Sequence, residues 1–138
     1  MNNVFVFGSN LAGIHGAGAA REAMLRHGAE YRVGVGRTGN AYALPTKDEN
    51  IVTLPLGSID SYVRAFCNYA AEHRNEKFFV TRIGCGLAGY KDSDIAPLFR
   101  TVPGNCILPI EWKPFLDDDV VSRVEFHDWE NEYGTWAR

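Results

Sequence analysis

The chain has 138 residues and a formal net charge of −3, with 46% hydrophobic and 22% charged residues. This length fits one domain that buries roughly two-thirds of the unfolded surface, and the composition is ordinary for a globular protein. Lysines and arginines are scattered singly, whereas proteins that bind a nucleic-acid polymer cluster them. We therefore expect one domain, residues 1–138, with 126–138 as a candidate C-terminal tail and no direct nucleic-acid polymer partner.

The cysteine count and the apolar runs indicate a cellular setting. Three cysteines, an odd number without metal-ligand spacing, argue against a disulfide framework and favour reduced thiols. No apolar run approaches the roughly 20 residues that span a bilayer, and the N-terminus lacks the pattern of a signal peptide. The sequence thus predicts a soluble, cytoplasmic protein with no membrane partner, no metal site and no cofactor.

The start of the chain predicts a strand, a glycine-rich loop and a helix. Residues 4–7 form a continuous apolar run, which is typical of a buried parallel strand. Residues 8–18, here called the first glycine loop, contain four glycines. From Ala19 the sequence favours a helix that stops at Gly28.

The middle of the chain predicts two short strands and the clearest helix. Residues 42–44 form a weak strand closed by Pro45, and residues 51–54 form another. Ser58 is a suitable N-cap for the helix that follows. Apolar residues recur there at three- and four-residue steps over residues 59–73, which gives one broad core face.

The next part of the chain repeats the order of strand, loop and helix. Residues 77–83 predict a strand, and residues 84–90, here called the second glycine loop, follow it directly. Asp92 or Ser93 then caps a short helix that ends at Phe99. Both glycine loops therefore lead from a strand towards the start of a helix.

The remaining residues predict strands and a tail of undecided contacts. We expect a strand at residues 105–110 and an edge strand at residues 120–126. Trp112 is predicted to lie in the core rather than in a lid, and the acidic run 117–119 in a solvated turn. The acidic and aromatic residues 129–136 dock either on the domain or on a partner.

Strands that alternate with helices predict an α/β fold with a mostly parallel sheet. Ligands of such sheets bind beyond the carboxyl ends of the strands. Because each glycine loop follows an apolar strand directly, we expect both loops to lie at that edge of the sheet. This placement is the basis of the functional prediction.

The glycine loops have the composition of an anion-binding site. Glycines allow the backbone to approach a ligand closely and to turn successive N–H groups towards it. A helix start adds free N–H groups and the positive end of the helix dipole. The spacing completes neither a dinucleotide-binding fingerprint nor a P-loop, which excludes a standard Rossmann dehydrogenase and a P-loop NTPase.

Four segments of the sequence resemble macro domains. They are FVFGSNLAGIHGAGAA, YALPTKD, VTRIGCGLAGY and the stretch from Leu108-Pro109 to Trp112. The resemblance is strongest to a compact macro-like group found in bacteria and their phages, and it runs from about residue 4 to residue 112. It implies a three-layer α/β/α sandwich with a mixed, mostly parallel sheet, and a ligand that is ADP-ribose or a related NAD-derived nucleotide.

The resemblance also implies roles for individual residues. Asn10 corresponds to the Asn that contacts the distal ribose and helps to order a water molecule, and residues 84–89 correspond to the diphosphate-binding loop. Gly16, Gly18 and Ala19 correspond to the backbone donors of the first loop. With the neighbouring loop residues included, the predicted ligand-binding residues are Gly8, Ser9, Asn10, Gly16, Ala17, Gly18, Ala19, Gly84, Cys85, Gly86, Leu87, Ala88, Gly89 and Tyr90.

The sequence departs from the macro pattern at two places. Many macro domains have an Asp near the first strand that binds the adenine amino group, whereas this chain has Asn2 and Asn3. Many hydrolytic members have an acid just after the glycine run, whereas this chain has Ala20 and Arg21. The second departure weighs against hydrolysis.

Three residues are candidates for catalysis, each with a structural alternative. Asn10 would position a water molecule, or it caps a turn. His15 would act as a general base or contact a ribose, because an imidazole exchanges protons near neutral pH; the alternative is an exposed loop histidine without a role. Asp48 would anchor a ribose or act as an acid, or it is a turn residue.

Two residues of the second glycine loop also carry alternatives. Cys85 lies between two glycines near a helix start, where a thiol can become reactive, but without a Cys-His-Asn order we interpret it as a small loop residue. Tyr90 either stacks on the adenine or ribose of a ligand or packs as a hydrophobic staple.

Four functions remain open at this point. The first is binding of an ADP-ribose-type nucleotide, and the second is hydrolysis of an ADP-ribosyl bond or of a phosphate on ADP-ribose. The third is a sequestering or sensing module for a cyclic ADP-ribose-type signalling nucleotide. The fourth is an interaction protein whose glycine loops are merely turns. The expected partner is a small nucleotide, or alternatively an ADP-ribosylated macromolecule.

Overall fold

A computed structural model describes residues 2–133, which form an α/β fold around a six-stranded mixed sheet. The sheet order is β2-β3-β1-β4-β5-β6, and all neighbours pair in parallel except β2 and β3. The strands are β1 (Asn3–Asn10), β2 (Gly36–Thr38), β3 (Ala41–Lys47), β4 (Lys77–Val80), β5 (Cys106–Pro109) and β6 (Glu125–His127).

Helices cover both faces of this sheet. Val4 and Val6 of β1 belong to the core cluster that contains the second helix, whereas Phe5 and Phe7 pack in the cluster with the first helix. All four side chains are buried because neighbouring residues of a strand point to opposite faces. The helices are α1 (Gly18–Arg26), α2 (Leu56–Glu72), α3 (Asp92–Ile95), α4 (Asp118–Arg123) and α5 (Trp129–Tyr133), with 3₁₀ turns at Ala96–Phe99 and Ile110–Phe115.

None of the helices within residues 2–133 combines the length and apolar character needed to cross a membrane. The longest, α2, is amphipathic and packs on the sheet. Its fully buried residues follow the predicted three- and four-residue steps and are Ile59, Val63, Phe66 and Ala70.

The start of α2 differs from the prediction. The N-cap is Pro55, with φ −60° and ψ 152°, and no side chain caps this end. Ser58 lies inside the first turn, where its N–H donates to the Pro55 carbonyl oxygen. The helix begins earlier because Leu56 already packs against the core, so the prediction of Ser58 as N-cap is wrong.

Two strands extend further than the sequence predicts. β1 runs to Asn10, so the first three residues of the first glycine loop are strand rather than loop. β3 continues through Pro45 to Lys47. Pro45 is tolerated because the antiparallel pairing with β2 reaches only as far as Ala43, so β2 does not need the N–H that Pro45 lacks.

Residues 51–54 do not form the predicted strand. They make a single bridge, between Lys47 and Thr53, after a tight turn. The predicted strand at residues 77–83 ends at Val80, and residues 92–99 divide into α3 and a 3₁₀ turn. The N-cap of α3 is Lys91 rather than Asp92 or Ser93.

The predicted edge strand at residues 120–126 is correct only at its end. Residues 118–123 form α4, and β6 follows as the edge strand. Residues 117–119 are exposed to solvent as predicted, but they begin a helix rather than form a turn. Asp117 caps α4 by accepting a hydrogen bond from the Val120 N–H at 3.0 Å. The hydrogen bond from an N-cap side chain stabilises the first turn of a helix at this position.

The described part of the C-terminal tail packs on the domain. Trp129 is 4% exposed, and its indole N–H donates to the Val80 carbonyl oxygen at 2.9 Å. Residues 134–138, which include Trp136 of the predicted docking segment, lie outside the described residues.

Candidate functional site

The two glycine loops line one cavity of about 630 Å³ at the carboxyl ends of β1, β3 and β4. This volume lies within the range of small-molecule sites. The lining residues are Gly8, Ser9, Asn10, Ile14, Gly16, Ala17, Gly18, Ala19, Ala20, Thr46, Lys47, Ile51, Gly84, Gly86, Leu87 and Ala88. We refer to this space as the loop cavity.

Most of the sequence-predicted ligand-binding residues line the loop cavity. Of the predicted site residues, five do not line it: His15, Asp48, Cys85, Gly89 and Tyr90.

The side chain of Asn10 fixes the first glycine loop. Its Nδ2 donates to the Ile14 carbonyl oxygen at 2.9 Å, and its Oδ1 accepts from the Ile14 N–H at 3.0 Å. Gly13, with φ +72°, donates its N–H to the Asn10 carbonyl oxygen and accepts from the Arg32 N–H. The turn-capping alternative for Asn10 is therefore what the structure shows, while Asn10 also lines the cavity.

The end of the first glycine loop presents free backbone donors. Within the described part of the chain, none of the N–H groups of residues 15–20 donates a hydrogen bond. The N-cap Ala17 offers no side-chain cap, and the first turn of α1 carries no acid. The positive end of the α1 dipole is thus neutralised by no side chain of its own helix.

The second glycine loop is a pair of tight turns with three further donors. The N–H groups of Cys85 and Tyr90 donate to the carbonyl oxygens of Arg82 and Gly84 at the base of the loop, and that of Gly89 donates to Gly86 within it. Over the residues that the structure covers, the N–H groups of 86–88 donate no hydrogen bond. Successive backbone N–H groups in a turn are the donors from which anion-binding nests are built.

A buried ion pair holds the exit of the second glycine loop. The Arg82 guanidinium contacts Asp92 at 2.6 Å and Glu130 at 2.7 Å. Burial raises the pKa of the Asp92 carboxyl, but Arg82 outweighs this effect and holds the pKa below its usual value. Trp112 is fully buried as predicted, and its indole N–H donates to Asp92 at 2.9 Å.

The charge of the cavity wall favours an anion. Among the described residues that line it, Lys47 carries the one formal charge, and no carboxylate contributes to the wall. Ile14, Ile51 and Leu87 add exposed apolar surface at 38%, 43% and 76% exposure. The site thus combines backbone donors, one cation and apolar side chains.

His15 lies beneath the first glycine loop instead of in the cavity. Its side chain is 1% exposed, so the interpretation as an exposed loop histidine is wrong. The ring packs edge-on against Phe7 with centroids 5.2 Å apart, and Nε2 lies 3.1 Å from the Glu30 carbonyl oxygen. Nδ1 is buried without a partner in the described structure.

Asp48 also serves the local backbone. Its Oδ1 accepts from the N–H groups of Asn50 and Val52 at 2.8 and 3.0 Å, which closes the turn after β3. The turn-residue alternative therefore matches its contacts. The carboxylate does not line the loop cavity.

Cys85 and Tyr90 also have structural contacts. Burial, followed by the neighbouring Asp92 carboxylate, raises the pKa of the Cys85 thiol to about 12, so the thiol stays protonated at neutral pH. The Tyr90 hydroxyl donates to the Leu54 carbonyl oxygen at 2.6 Å, and the residue packs against the core. Neither lines the cavity.

The sequence analysis missed three cavity residues on one segment, namely Thr46, Lys47 and Ile51. Thr46 and Lys47 end the strand β3, which pairs in parallel with β1, and Ile51 follows in the turn after it. The signal that could have found them is the polar Thr46-Lys47 pair after the apolar residues 42–44. Its use required knowing that β3 neighbours β1.

A second cavity of about 250 Å³ lies near the opposite end of β1. Its lining residues are Asn3, Val4, Phe5, His27, Phe79, His127 and Trp129. No residue of either glycine loop lines it. Over residues 2–133, no group of three or more His, Cys, Asp or Glu is arranged to hold a metal ion.

Comparison with known proteins gives no relative for this chain: no protein-family model, no curated protein and no solved structure matches it.

Proposed function

We propose that this protein binds ADP-ribose or a related NAD-derived nucleotide in the loop cavity. The second glycine loop would hold the diphosphate, and the first would hold the distal ribose. The proposal includes a macro-type three-layer α/β/α sandwich, for which the helices on both faces of the sheet are the support. It also keeps the cytoplasmic location that the sequence predicts.

One observation carries the proposal. The unpaired N–H groups of residues 15–20 and of residues 86–88 belong to loops that line the same cavity. Backbone donors at a helix start and in a nest bind phosphate oxygens without any net positive charge on the protein. This accounts for an anionic ligand on a chain whose formal net charge is −3.

The composition of the wall supports binding without turnover. No carboxylate or imidazole is among the described lining residues, and Asn10 uses both polar atoms of its side chain on Ile14. A hydrolase would need a group that transfers a proton at the reacting bond. We therefore propose a sequestering or sensing role in which the nucleotide is retained intact.

Isothermal titration calorimetry with ADP-ribose tests the binding. We expect a dissociation constant of about 1 μM, roughly −8 kcal/mol. Gly16→Glu should abolish binding, because a Cβ there meets nothing within 4 Å and the new carboxylate would lie in the cavity. Gly57→Glu is the matched control, since its Cβ is equally unobstructed and it lies in the first turn of α2 and does not line the cavity.

Two outcomes would contradict the proposal. One is the absence of heat with the unaltered protein up to millimolar ADP-ribose. The other is equal binding by Gly16→Glu and Gly57→Glu. Recovery of intact ADP-ribose after heat denaturation of the complex would support retention, whereas recovery of a product, or release of ADP-ribose from ADP-ribosylated protein, would support hydrolysis.

A further inference from the structure

Lys47 occupies a fixed position between the two glycine loops. Its carbonyl oxygen accepts the Leu11 N–H at 3.0 Å, which ties it to the first glycine loop. It pairs with Asn10 just after the register shift between β1 and β3. On its other side it forms the bridge to Thr53, whose hydroxyl contacts the second glycine loop at Ala88.

The ammonium group of Lys47 is not neutralised by a neighbouring carboxylate among the described residues. In the part of the chain that the structure describes, its ammonium forms no ion pair, although the side chain is half-buried against the cavity. The adjacent Asp48 carboxylate is engaged by two backbone N–H groups of its own turn. None of the described residues that line the cavity has a carboxylate that would neutralise the ammonium.

Three positively polarised sources therefore surround one space. The α1 start and the free N–H groups of residues 86–88 supply dipoles, and Lys47 supplies the full charge on the wall. Hydrogen bonds from a charged donor to an ionised oxygen are about twice as strong as neutral ones. A ligand oxyanion within reach of the ammonium would gain this additional interaction, and an uncharged ligand would not.

We propose that Lys47 is a specificity-determining residue that contacts a phosphate oxygen of the bound nucleotide. This inference rests on the proposed function and deepens it. The ammonium makes the site selective for phosphorylated nucleosides over their uncharged counterparts. It also makes the affinity dependent on ionic strength, because salt screens the attraction between partly exposed charges.

The test compares Lys47→Gln and Lys47→Arg with the unaltered protein by calorimetry, using ADP-ribose, ADP and adenosine at low and high salt. Lys77→Gln is the matched control, because Lys77 is also a half-buried lysine on a strand but begins β4 at the far end of the sheet. Thermal unfolding of each variant reports on the fold.

We expect Lys47→Gln to weaken binding of ADP-ribose and of ADP about 10-fold and to flatten the salt dependence. Binding of adenosine should stay equally weak or absent, Lys47→Arg should retain most of the affinity, and Lys77→Gln should bind as the unaltered protein does. Unchanged ADP-ribose affinity and salt dependence in a folded Lys47→Gln protein would overturn the role of Lys47 and leave the proposed function standing. Failure of the unaltered protein to bind either phosphorylated probe would overturn both.

Discussion

The Thr53 hydroxyl donates a hydrogen bond of 3.0 Å to the carbonyl oxygen of Ala88. This contact joins the segment after β3 to the second glycine loop at the residue that follows its most exposed apolar side chain, Leu87. A second hydrogen bond joins the same two segments in the opposite direction, from the Tyr90 hydroxyl to the Leu54 carbonyl oxygen. Residues 51–54, which form no strand, thus brace the loop that presents the free amides.

Removal of the Thr53–Ala88 hydrogen bond should reduce the affinity for the ligand while costing little stability of the fold. Thr53→Val keeps the shape of the side chain but loses the hydroxyl, so the loop gains freedom that binding must then remove. We expect roughly 3- to 10-fold weaker binding of ADP-ribose by calorimetry and a cost of about 1 kcal/mol in unfolding free energy. Thr53→Ser, which keeps the donor, should bind as the unaltered protein does; equal affinity of the Val and Ser variants would refute the brace.

Gly13 and Gly16 should respond differently to the same substitution. A Cβ at Gly13 would overlap the backbone of Arg32, and the residue has φ +72°. Gly13→Ala should therefore lower the free energy of unfolding by more than about 2 kcal/mol. Gly16→Ala, whose Cβ meets nothing within 4 Å, should change it by less than about 0.5 kcal/mol. Urea denaturation measures both, and similar losses would be inconsistent with the loop geometry.

The Arg37–Glu76 ion pair should make the free energy of unfolding depend on pH in the acid range. The two side chains are 2.8 Å apart, and Arg37, opposed by burial and helped by Asn2, lowers the pKa of Glu76 from 4.5 to about 2. The folded protein holds the Glu76 proton less tightly than the unfolded chain does. The contribution of the ion pair to the free energy of unfolding is therefore complete above about pH 4.5 and is lost as the pH falls through about 2.

Arg37→Met provides the comparison for that pH dependence. Urea denaturation between pH 6 and pH 2.5 should show a smaller loss of stability on acidification in this variant than in the unaltered protein. At pH 6 the variant should be roughly 1–2 kcal/mol less stable, since hydrogen bonds to charged groups are of this order. If the free energy of unfolding fell equally with pH in both proteins, the ion pair would not be the cause of the pH dependence.

Asn10 should act on ligand binding through the shape of its loop. Asn10→Ala removes both hydrogen bonds to Ile14, and Asn10→Asp places a carboxylate oxygen against the Ile14 carbonyl oxygen. We expect both variants to bind ADP-ribose at least 10-fold more weakly, because the free amides of residues 15–20 follow directly. Calorimetry measures the loss, and an Asn10→Ala protein with full affinity would contradict this role.

Periodicity in the sequence predicted the elements that position the site. The apolar run 4–7 predicted a strand buried on both faces, and the steps over residues 59–73 predicted the core face of α2. Because parallel strands end at one edge, the two glycine loops were predicted to meet there, and both line the loop cavity. These features depend on local pattern and chain direction alone.

Features that depend on tertiary contacts could not be predicted. The burial of His15 depends on Phe7 and on the carbonyl of Glu30, and neither is near it in the sequence pattern. Lys47 lines the cavity because β3 pairs with β1, and the pattern does not specify strand order. Ser58 lost its predicted capping role because Leu56 packs on the core two residues earlier.

Amide NMR spectra recorded during a titration with ADP-ribose test the central claim most directly. The account predicts that the backbone N–H signals of residues 15–20 and of residues 86–88 shift together and saturate at the same ligand concentration, while signals in the middle of α2 stay in place. Shifts confined to one loop, shifts centred on the cavity beside Trp129, or no shifts at millimolar ligand would contradict it.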